Sequence, residues 1–184
     1  PCGTTCYVWE LQSMETQEKT YESLAASPFN KIRFCVFPKH YVYNLKEPAQ
    51  YPFEIRENSP WSPSDFETEK LEKAPRNMFG GIDAMIENPD EVWDYTRPNP
   101  SYFEHIENTI VRLGTMGIQA DLILFHPYDR WGYSRMNLEQ QNFYLRYVVN
   151  RFSGYHKGWW AMANEFDLFR WKPVSEWESN AETV

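Results

Sequence analysis

The sequence lacks several features that would assign it to a broad class of proteins. It has no run of about 18 apolar residues that could cross a membrane. Its three cysteines, Cys2, Cys6 and Cys35, lack the spacing of a zinc site, so buried free thiols are expected rather than a disulfide framework. Lys and Arg total 18 against 26 Asp and Glu, and a net charge of -8 argues against a nucleic-acid partner. We therefore expect a globular protein without a metal or another cofactor, and with a neutral or cationic ligand.

The cellular compartment stays open between cytoplasm and exterior. The chain begins with Pro1 rather than Met and shows no charged and apolar leader. Free cysteines favour the cytoplasm.

Aromatic residues, by contrast, are abundant, with 8 Trp, 12 Tyr and 12 Phe. Many of them lie in segments typical of loops, where exposed rings could stack on a flat ligand, although large aromatics also pack cores. Four tryptophans are candidate stacking platforms: Trp61, Trp93, Trp131 and Trp171.

The chain alternates between strand and helix patterns. The first helix pattern has Thr16 as a candidate N-cap, the second is bounded by Asn99 and Gly117, and the third opens with a capping box of Asn137 and Gln140. Residues 38–98 form a long, irregular passage with one or two short helices, and such passages are more often functional than idle. The predicted strands are 2–9, 31–37, 120–125 and 159–165, and the predicted helices are 16–27, 99–117 and 138–155.

This alternation predicts an α/β fold with parallel strands and right-handed crossovers. A closed (β/α)8 TIM-barrel type is favoured over an open doubly wound sheet. No glycine-rich turn follows the first strand, and polar or aromatic residues gather after every strand. Because a barrel needs about 250 residues, residues 1–184 are expected to form its first four βα units, with an insertion at about 38–98. The open sheet edges would then be covered by the rest of the barrel or by a second chain.

The residues after the strands are expected to meet on one face. The central candidate is Glu165, because a carboxylic acid among aromatic rings can hold a proton near neutral pH and act as a general acid. Asn164 can donate to a substrate hydroxyl, and Arg33 can hold a carboxylate. Asp129 is interpreted as a brace of its own loop and Asp167 as a cap of the following helix. The residues gathered at the strand ends are Tyr7, Trp9, Arg33, Lys39, His40, His126, Asp129, Asn164 and Glu165.

Several long blocks carry a family resemblance over Gly3 to about Trp177. They are "GTTCYVWELQ", "FGG", "WDYTRPNPSYFEHIE", "ADLILFHPYDRWGYSRM" and "NFYLRYVVNRFSGYHKGWWAMANEFDL". Together they resemble the catalytic domain of the apiosidase-like glycoside hydrolases. These look related to the clan of retaining (β/α)8-barrel glycosidases that includes the family 5 cellulases.

The resemblance implies a function and a set of site residues. The function would be retaining hydrolysis of a plant-type oligo- or polysaccharide, with Asn164 and Glu165 as the catalytic pair. The nucleophile would follow the seventh strand, beyond Val184, so the chain alone is expected to be inactive. The expected substrate-binding residues are Arg33, His126, His40, Trp9, Tyr128 and Trp131.

Two other functional hypotheses stay open. A metal-dependent barrel hydrolase could use His40, His126, Asp129 and Glu165, although their spacing forms no compact ligand motif. A non-catalytic carbohydrate-binding protein would use the four tryptophan platforms.

Overall fold

The structure is a computed structural model that describes residues 2–39, 48–62, 86, 88–155 and 158–184. In these ranges the strands are β1 (Gly3–Thr5), β2 (Lys31–Cys35), β3 (Phe53–Ile55), β4 (Trp93–Pro98), β5 (Gln119–Phe125) and β6 (Gly158–Ala163). The helices are α1 (Met14–Ala25), α2 (Pro89–Val92), α3 (Pro100–Thr115), α4 (Leu138–Phe152) and α5 (Val174–Thr183).

Four strands form one parallel sheet in the order β1, β2, β5, β6. Each strand of this sheet pairs with the next one along the chain: Thr5 aligns with Arg33, Arg33 with Asp121, and Asp121 with Trp159. The connections contain α1 between β1 and β2, α3 before β5, and α4 between β5 and β6. The predicted α/β fold with a parallel sheet is confirmed. The first, second and fourth strands end earlier than predicted, at Thr5, Cys35 and Ala163.

Local capping explains where the helices begin and end. Helix α1 is capped by Ser13, whose hydroxyl accepts from the Thr16 backbone N–H, so the prediction of Thr16 as the N-cap was wrong. Asn99 caps α3 as predicted, and Gly117 follows that helix with a φ of +79° that favours glycine. The predicted capping box of Asn137 and Gln140 is present at α4.

The two faces of the parallel sheet differ in what covers them. One face carries Ile32, Phe34 and Leu122, which join a single apolar cluster with the buried sides of α1, α3 and α4. The alternating residues Cys35 and Ile123 form a separate, much smaller cluster on the opposite face. The three helices therefore cover the same face of the sheet.

The passage 38–98 contains regular structure that was not predicted. Strands β3 and β4 form an antiparallel pair, and the four-residue helix α2 leads directly into β4. Rings of this small sheet pack onto the main core, with Phe53 and Phe37 centroids 6.2 Å apart and Trp93 and Tyr133 centroids 5.2 Å apart. Residues 40–47, 63–85 and 87 of the predicted insertion lie outside the described ranges.

Helix α5 is fastened to α4 through a lysine. The Lys172 ammonium donates to Gln141 Oε1 at 2.6 Å and to Asn180 Oδ1, and it lies 3.5 Å from the centroid of the Trp177 ring. Burial lowers the pKa of Lys172 to about 8. These contacts fix the segment that follows β6.

Two further observations bear on the composition. All three cysteines are free, but only Cys35 is buried, so the expectation of buried thiols was wrong for Cys2 and Cys6. No helix within the described ranges is both long and apolar enough to cross a membrane.

Candidate active site at the strand ends

Asn164 links the ends of three strands. Its backbone N–H donates to the Phe125 carbonyl at 3.0 Å, which continues the pairing of β6 with β5. Its side-chain Oδ1 accepts from the Tyr7 hydroxyl at 3.5 Å, and its Nδ2 donates to the Tyr128 hydroxyl at 3.1 Å. Both ends of the amide are thereby oriented by tyrosines that follow β1 and β5.

Glu165 occupies an unusual backbone position directly after Asn164. Its φ is +49°, and within the described residues it is the only non-glycine with a positive φ. That conformation costs roughly 1 kcal/mol for a residue with a side chain, and such strain is concentrated at functional sites. Its side chain is exposed, so the described residues do not enclose the carboxylate in the aromatic surroundings expected from the sequence.

Asp167 does not cap the next helix. It lies in a short 3-10 turn, Phe166–Leu168, whereas α5 begins after Pro173. The prediction of a capping role was therefore wrong.

Lys39 stands between the same two tyrosines that hold Asn164. Its Nζ lies 4.3 Å from the Tyr7 ring centroid and 4.0 Å from the Tyr128 ring centroid. Burial lowers the pKa of Lys39, whereas the electrostatic interactions with Cys35 and Glu165 act in the opposite direction. The sequence predicted that Lys39 lies at the end of the second strand, but it did not distinguish a site residue from an ordinary surface group.

His126 is present at the end of β5, but its ring nitrogens are occupied. Nε2 donates to the Phe37 carbonyl at 3.1 Å, and Nδ1 accepts from the Tyr128 backbone N–H at 3.2 Å. Burial lowers the pKa of His126 to about 4, although the Asp129 charge and the bond to Phe37 oppose the shift. The imidazole is therefore neutral near pH 7, and it orients Tyr128, whose ring it stacks on at 5.8 Å.

Arg33 does not lie with these groups. It is in the middle of β2, where its Nε and a terminal nitrogen are each 3.0 Å from Asp121 Oδ2. Asp121 is in register with Trp159, five residues before Asn164. At about 3.3 Å per residue, about 16 Å of strand separates this ion pair from the strand ends. The expectation that Arg33 lies at the strand ends was wrong.

Two of the tryptophans predicted to bind substrate belong to the core. Trp9 is 2% exposed and packs edge-on against Tyr21 at 4.8 Å, and Trp131 is 1% exposed beside Tyr133. Large buried rings fill the space between layers, and these two cannot stack on a ligand at the surface. His40, another predicted substrate-binding residue, lies outside the described residues.

The strand ends thus bring together Tyr7, Lys39, His126, Tyr128, Asn164 and Glu165. The sequence model of one protein family, the apiosidase-like catalytic domain, matches residues 11–184. The chain belongs to the apiosidase-like family. The resemblance seen in the sequence blocks is confirmed.

Three solved structures of glycoside hydrolases are similar to this apiosidase-like chain. A protein from Bacteroides vulgatus ATCC 8482, assigned as a glycoside hydrolase, has 39% identity and a TM-score of 0.78, over 100% of this chain and 32% of that one. A family 5 glycoside hydrolase from the same organism has 12% identity and a TM-score of 0.58, over 100% and 32% of the two chains. Another glycoside hydrolase has 13% identity and a TM-score of 0.58, over 100% and 33%. The last two show the fold alone.

The apiosidase-like chain spans about a third of the length of these solved proteins. No curated protein matches it.

The geometry also bears on the two other readings of the sequence. Asp129 accepts from the backbone N–H groups of Tyr133 at 2.9 Å and Ser134 at 2.7 Å, so it braces its loop as predicted. With His126 engaged as well, neither side chain offers an unoccupied ligand atom in this arrangement, and the described residues contain no cluster of three metal-ligating side chains. Trp93 and Trp131 are buried, which removes two of the four proposed stacking platforms.

The substrate-binding residues predicted from the sequence include Trp9 but not Tyr7, which lies two residues earlier. The available signal was the parallel pairing itself: the Tyr7 carbonyl accepts from the Cys35 N–H at 2.6 Å, so Tyr7 still lies beside β2 at the strand ends. Trp9 has already turned into a short helical segment, Trp9–Leu11, on the core side.

Proposed function

We propose that the complete protein is a glycosidase that acts on a plant-type oligo- or polysaccharide by a retaining mechanism, with Glu165 as general acid/base. The observation that supports this role most directly is the left-handed, exposed Glu165 beside an Asn164 amide fixed by two tyrosines. Membership of the apiosidase-like family supplies the reaction class.

The fold we propose is the first half of a (β/α)8 barrel, with residues 38–98 as a long insertion. Strands that pair in chain order, with their helices on one face, are expected of such a barrel, whereas a doubly wound sheet carries helices on both faces. In this sheet β1 and β6 each have one unpaired edge among the described residues. We expect the remainder of the barrel, or a second chain, to cover them.

In the proposed mechanism each group has a defined task. Glu165 protonates the leaving oxygen while a carboxylate from a later strand attacks the anomeric carbon, and Glu165 then takes a proton from the water that releases the sugar. The two carboxyl groups would lie about 5 Å apart. Tyr7 and Tyr128 hold the Asn164 amide, which faces the sugar hydroxyls, and His126 keeps Tyr128 in place.

The proposal is tested by replacing Glu165 in the full-length protein. With aryl glycosides that have poor leaving groups, Glu165→Gln is expected to lower kcat/KM by about 100-fold or more, because it removes the proton donor. The measurement is initial rates over a panel of aryl glycosides, with NMR of the first-formed anomer to establish retention. The 184-residue chain on its own is expected to give no turnover, because the proposed nucleophile follows the seventh strand, beyond Val184.

The matched control is Asp167→Asn, which removes a carboxylate two residues away in the exposed turn that follows. This variant should keep kcat/KM within several-fold of the wild type. Full activity of Glu165→Gln would refute the role given to Glu165, and a selective loss in Asp167→Asn would transfer that role to Asp167.

A further inference from the structure

Glu10 carries a buried carboxyl group to which the proposed mechanism gives no role. It lies in the short helical segment Trp9–Leu11 and is 0% exposed. Both oxygens of its carboxyl group are buried without a hydrogen-bond partner among the described residues. An ionised carboxylate that is removed from water and left without a partner is strongly disfavoured, so the folded protein is expected to hold Glu10 as the neutral acid. Burial accordingly raises the pKa of Glu10 well above its usual value, and its own backbone N–H opposes the shift.

The ionisable side chains that interact with the Glu10 carboxyl group come from four parts of the fold. They are Cys6 after β1, Tyr21 on α1, Cys35 on β2 and Tyr102 on α3. Burial raises the pKa of all four, so all four are uncharged near neutral pH. His105 contacts the backbone of Glu10 instead, because its Nε2 donates to the Glu10 carbonyl at 2.6 Å. Among the described residues, this set offers the carboxyl group no cation that would compensate for its ionisation.

The segment that carries Glu10 is a connection and not part of the sheet. Trp9–Leu11 is one 3-10 turn between β1 and α1. It is closed by two backbone bonds of 3.2 Å, from the Leu11 N–H to the Val8 carbonyl and from the Gln12 N–H to the Trp9 carbonyl. A single turn opens at a lower free-energy cost than a paired strand. The cost of ionising Glu10 can therefore be relieved by opening this turn to solvent, while the sheet stays folded.

The same turn supports the tyrosine that orients Asn164. Tyr7 lies three residues before Glu10, and its hydroxyl donates to Asn164 Oδ1 at 3.5 Å. The residue after Tyr7 is Val8, whose carbonyl also accepts from the Gln12 side chain at 3.1 Å. Opening of the turn would break the bonds to Val8 and remove this support of Tyr7.

We infer that Glu10 is a proton-dependent lock: as the neutral acid it keeps the turn Trp9–Leu11 closed, and its ionisation at higher pH opens the turn and releases Tyr7. The opening itself is independent of the proposed function, whereas its effect on catalysis rests on that function. In the open turn Glu10 regains its usual pKa of 4.5, which is lower than in the closed turn. The stability of the closed turn is therefore complete below about pH 4.5 and is lost as the pH rises through the higher folded pKa.

The first test is hydrogen exchange of the full-length protein, measured by mass spectrometry from about pH 5 to about pH 8 and corrected for the intrinsic exchange rate. In the wild type, the peptide with residues 8–12 is expected to lose protection by up to about tenfold per pH unit, while peptides of β5 keep theirs. Glu10→Gln cannot ionise and should remove this pH dependence. Glu10→Met should do the same, and its apolar side chain needs no hydrogen bond.

The matched control for hydrogen exchange is Glu22→Gln. It removes an exposed carboxyl group from α1, the helix that follows the turn. The peptide with residues 8–12 should show the same pH dependence in this variant as in the wild type.

The second test measures whether the lock acts on the site, through the pH dependence of kcat/KM in the full-length protein. On the alkaline side, the wild type should lose activity at a pH lower by about half a unit or more than Glu10→Gln and Glu10→Met, because only the wild type releases Tyr7. Near pH 5 the three proteins should agree within several-fold.

The outcomes separate this inference from the proposed function. Protection of residues 8–12 that does not change with pH in the wild type overturns the lock. An equal loss of protection in the wild type and both Glu10 variants also overturns it, because another group would then open the turn. Loss in the wild type alone, with identical pH profiles of kcat/KM, overturns the link to Tyr7. If Glu165→Gln stays active while the exchange result holds, the catalytic role of Glu165 fails and the lock stands.

Discussion

The two faces of the parallel sheet differ in the residues that they carry and in how exposed these residues are. The helix-covered face contains Ile32, Phe34 and Leu122, each at most 1% exposed. The opposite face carries the ion pairs of Asp121 with Lys31 and Arg33, and Trp159 remains 50% exposed there. The first face is a hydrophobic core, whereas the second combines the buried Asp121 and its two cations with the small apolar cluster of Cys35 and Ile123. The candidate site at Asn164 and Glu165 lies beyond the ends of these strands. Stability and the proposed chemistry are thus assigned to different parts of the same strands.

The largest expected effect is on the helix-covered face. Phe34 is fully buried, with its ring centroid 6.1 Å from that of Trp9, so Phe34→Ala should lower the free energy of unfolding of the full-length protein by about 3–5 kcal/mol. Chemical denaturation measures this change. Trp159→Ala, made in the same background, distinguishes two cases. A cost of about 1 kcal/mol would show that its face stays open, whereas a cost near that of Phe34→Ala is expected if the proposed barrel covers this face. Val111→Ala, at an exposed helix position, is the control.

An intermediate effect on the free energy of unfolding is expected from His126, which directly follows β5. Its pKa of about 4 in the folded protein lies below the usual value of about 6.5, so the unfolded chain takes up a proton first as the pH falls. Stability should therefore be complete above pH 6.5 and decline by about 3 kcal/mol as the pH falls to about 4. Unfolding of the wild type and His126→Gln, measured from pH 7 to 4, tests this. Parallel pH profiles for the two proteins would contradict the assignment.

The smallest effect is expected on the charged face. Asp121→Asn should cost about 1 kcal/mol, because its partners Lys31 and Arg33 are partly exposed and solvent weakens the attraction. The difference from the wild type should shrink in high salt, since ions screen the pairs. Glu15→Gln, which breaks the exposed pair with Lys19, should have no measurable effect. A salt-independent loss in Asp121→Asn would indicate packing rather than charge.

The regular parts of the fold could be predicted because their signals are local. Helix α3 has apolar residues at spacings of three and four between Asn99 and Gly117, and all four of Phe103, Ile106, Ile110 and Leu113 are buried as expected. The small sheet of β3 and β4 was missed because β3 has only three residues. One signal was available: in "WDYT" the buried Trp93 and Tyr95 alternate with Asp94 and Thr96.

The site was harder to predict because it depends on where each strand ends. The placement of Tyr128, Asn164 and Glu165 beyond the strand ends follows from parallel pairing, whereas Arg33 lies in the middle of β2, in register with Trp159, five residues before Asn164. The choice between Trp9 and Tyr7 depended on a turn that no local pattern reveals. Glu10 shows the same limit: its carboxyl group is fully buried without a hydrogen-bond partner among the described residues, and burial raises its pKa well above the usual range.

The order of the strands also has a consequence for biosynthesis. Because β1, β2, β5 and β6 are neighbours in the order in which they leave the ribosome, each new strand can pair with the one made just before it. No strand of this sheet has to be inserted between two that are already paired. The sheet can therefore grow in one direction during translation, with β6 added to β5 after β5 has paired with β2.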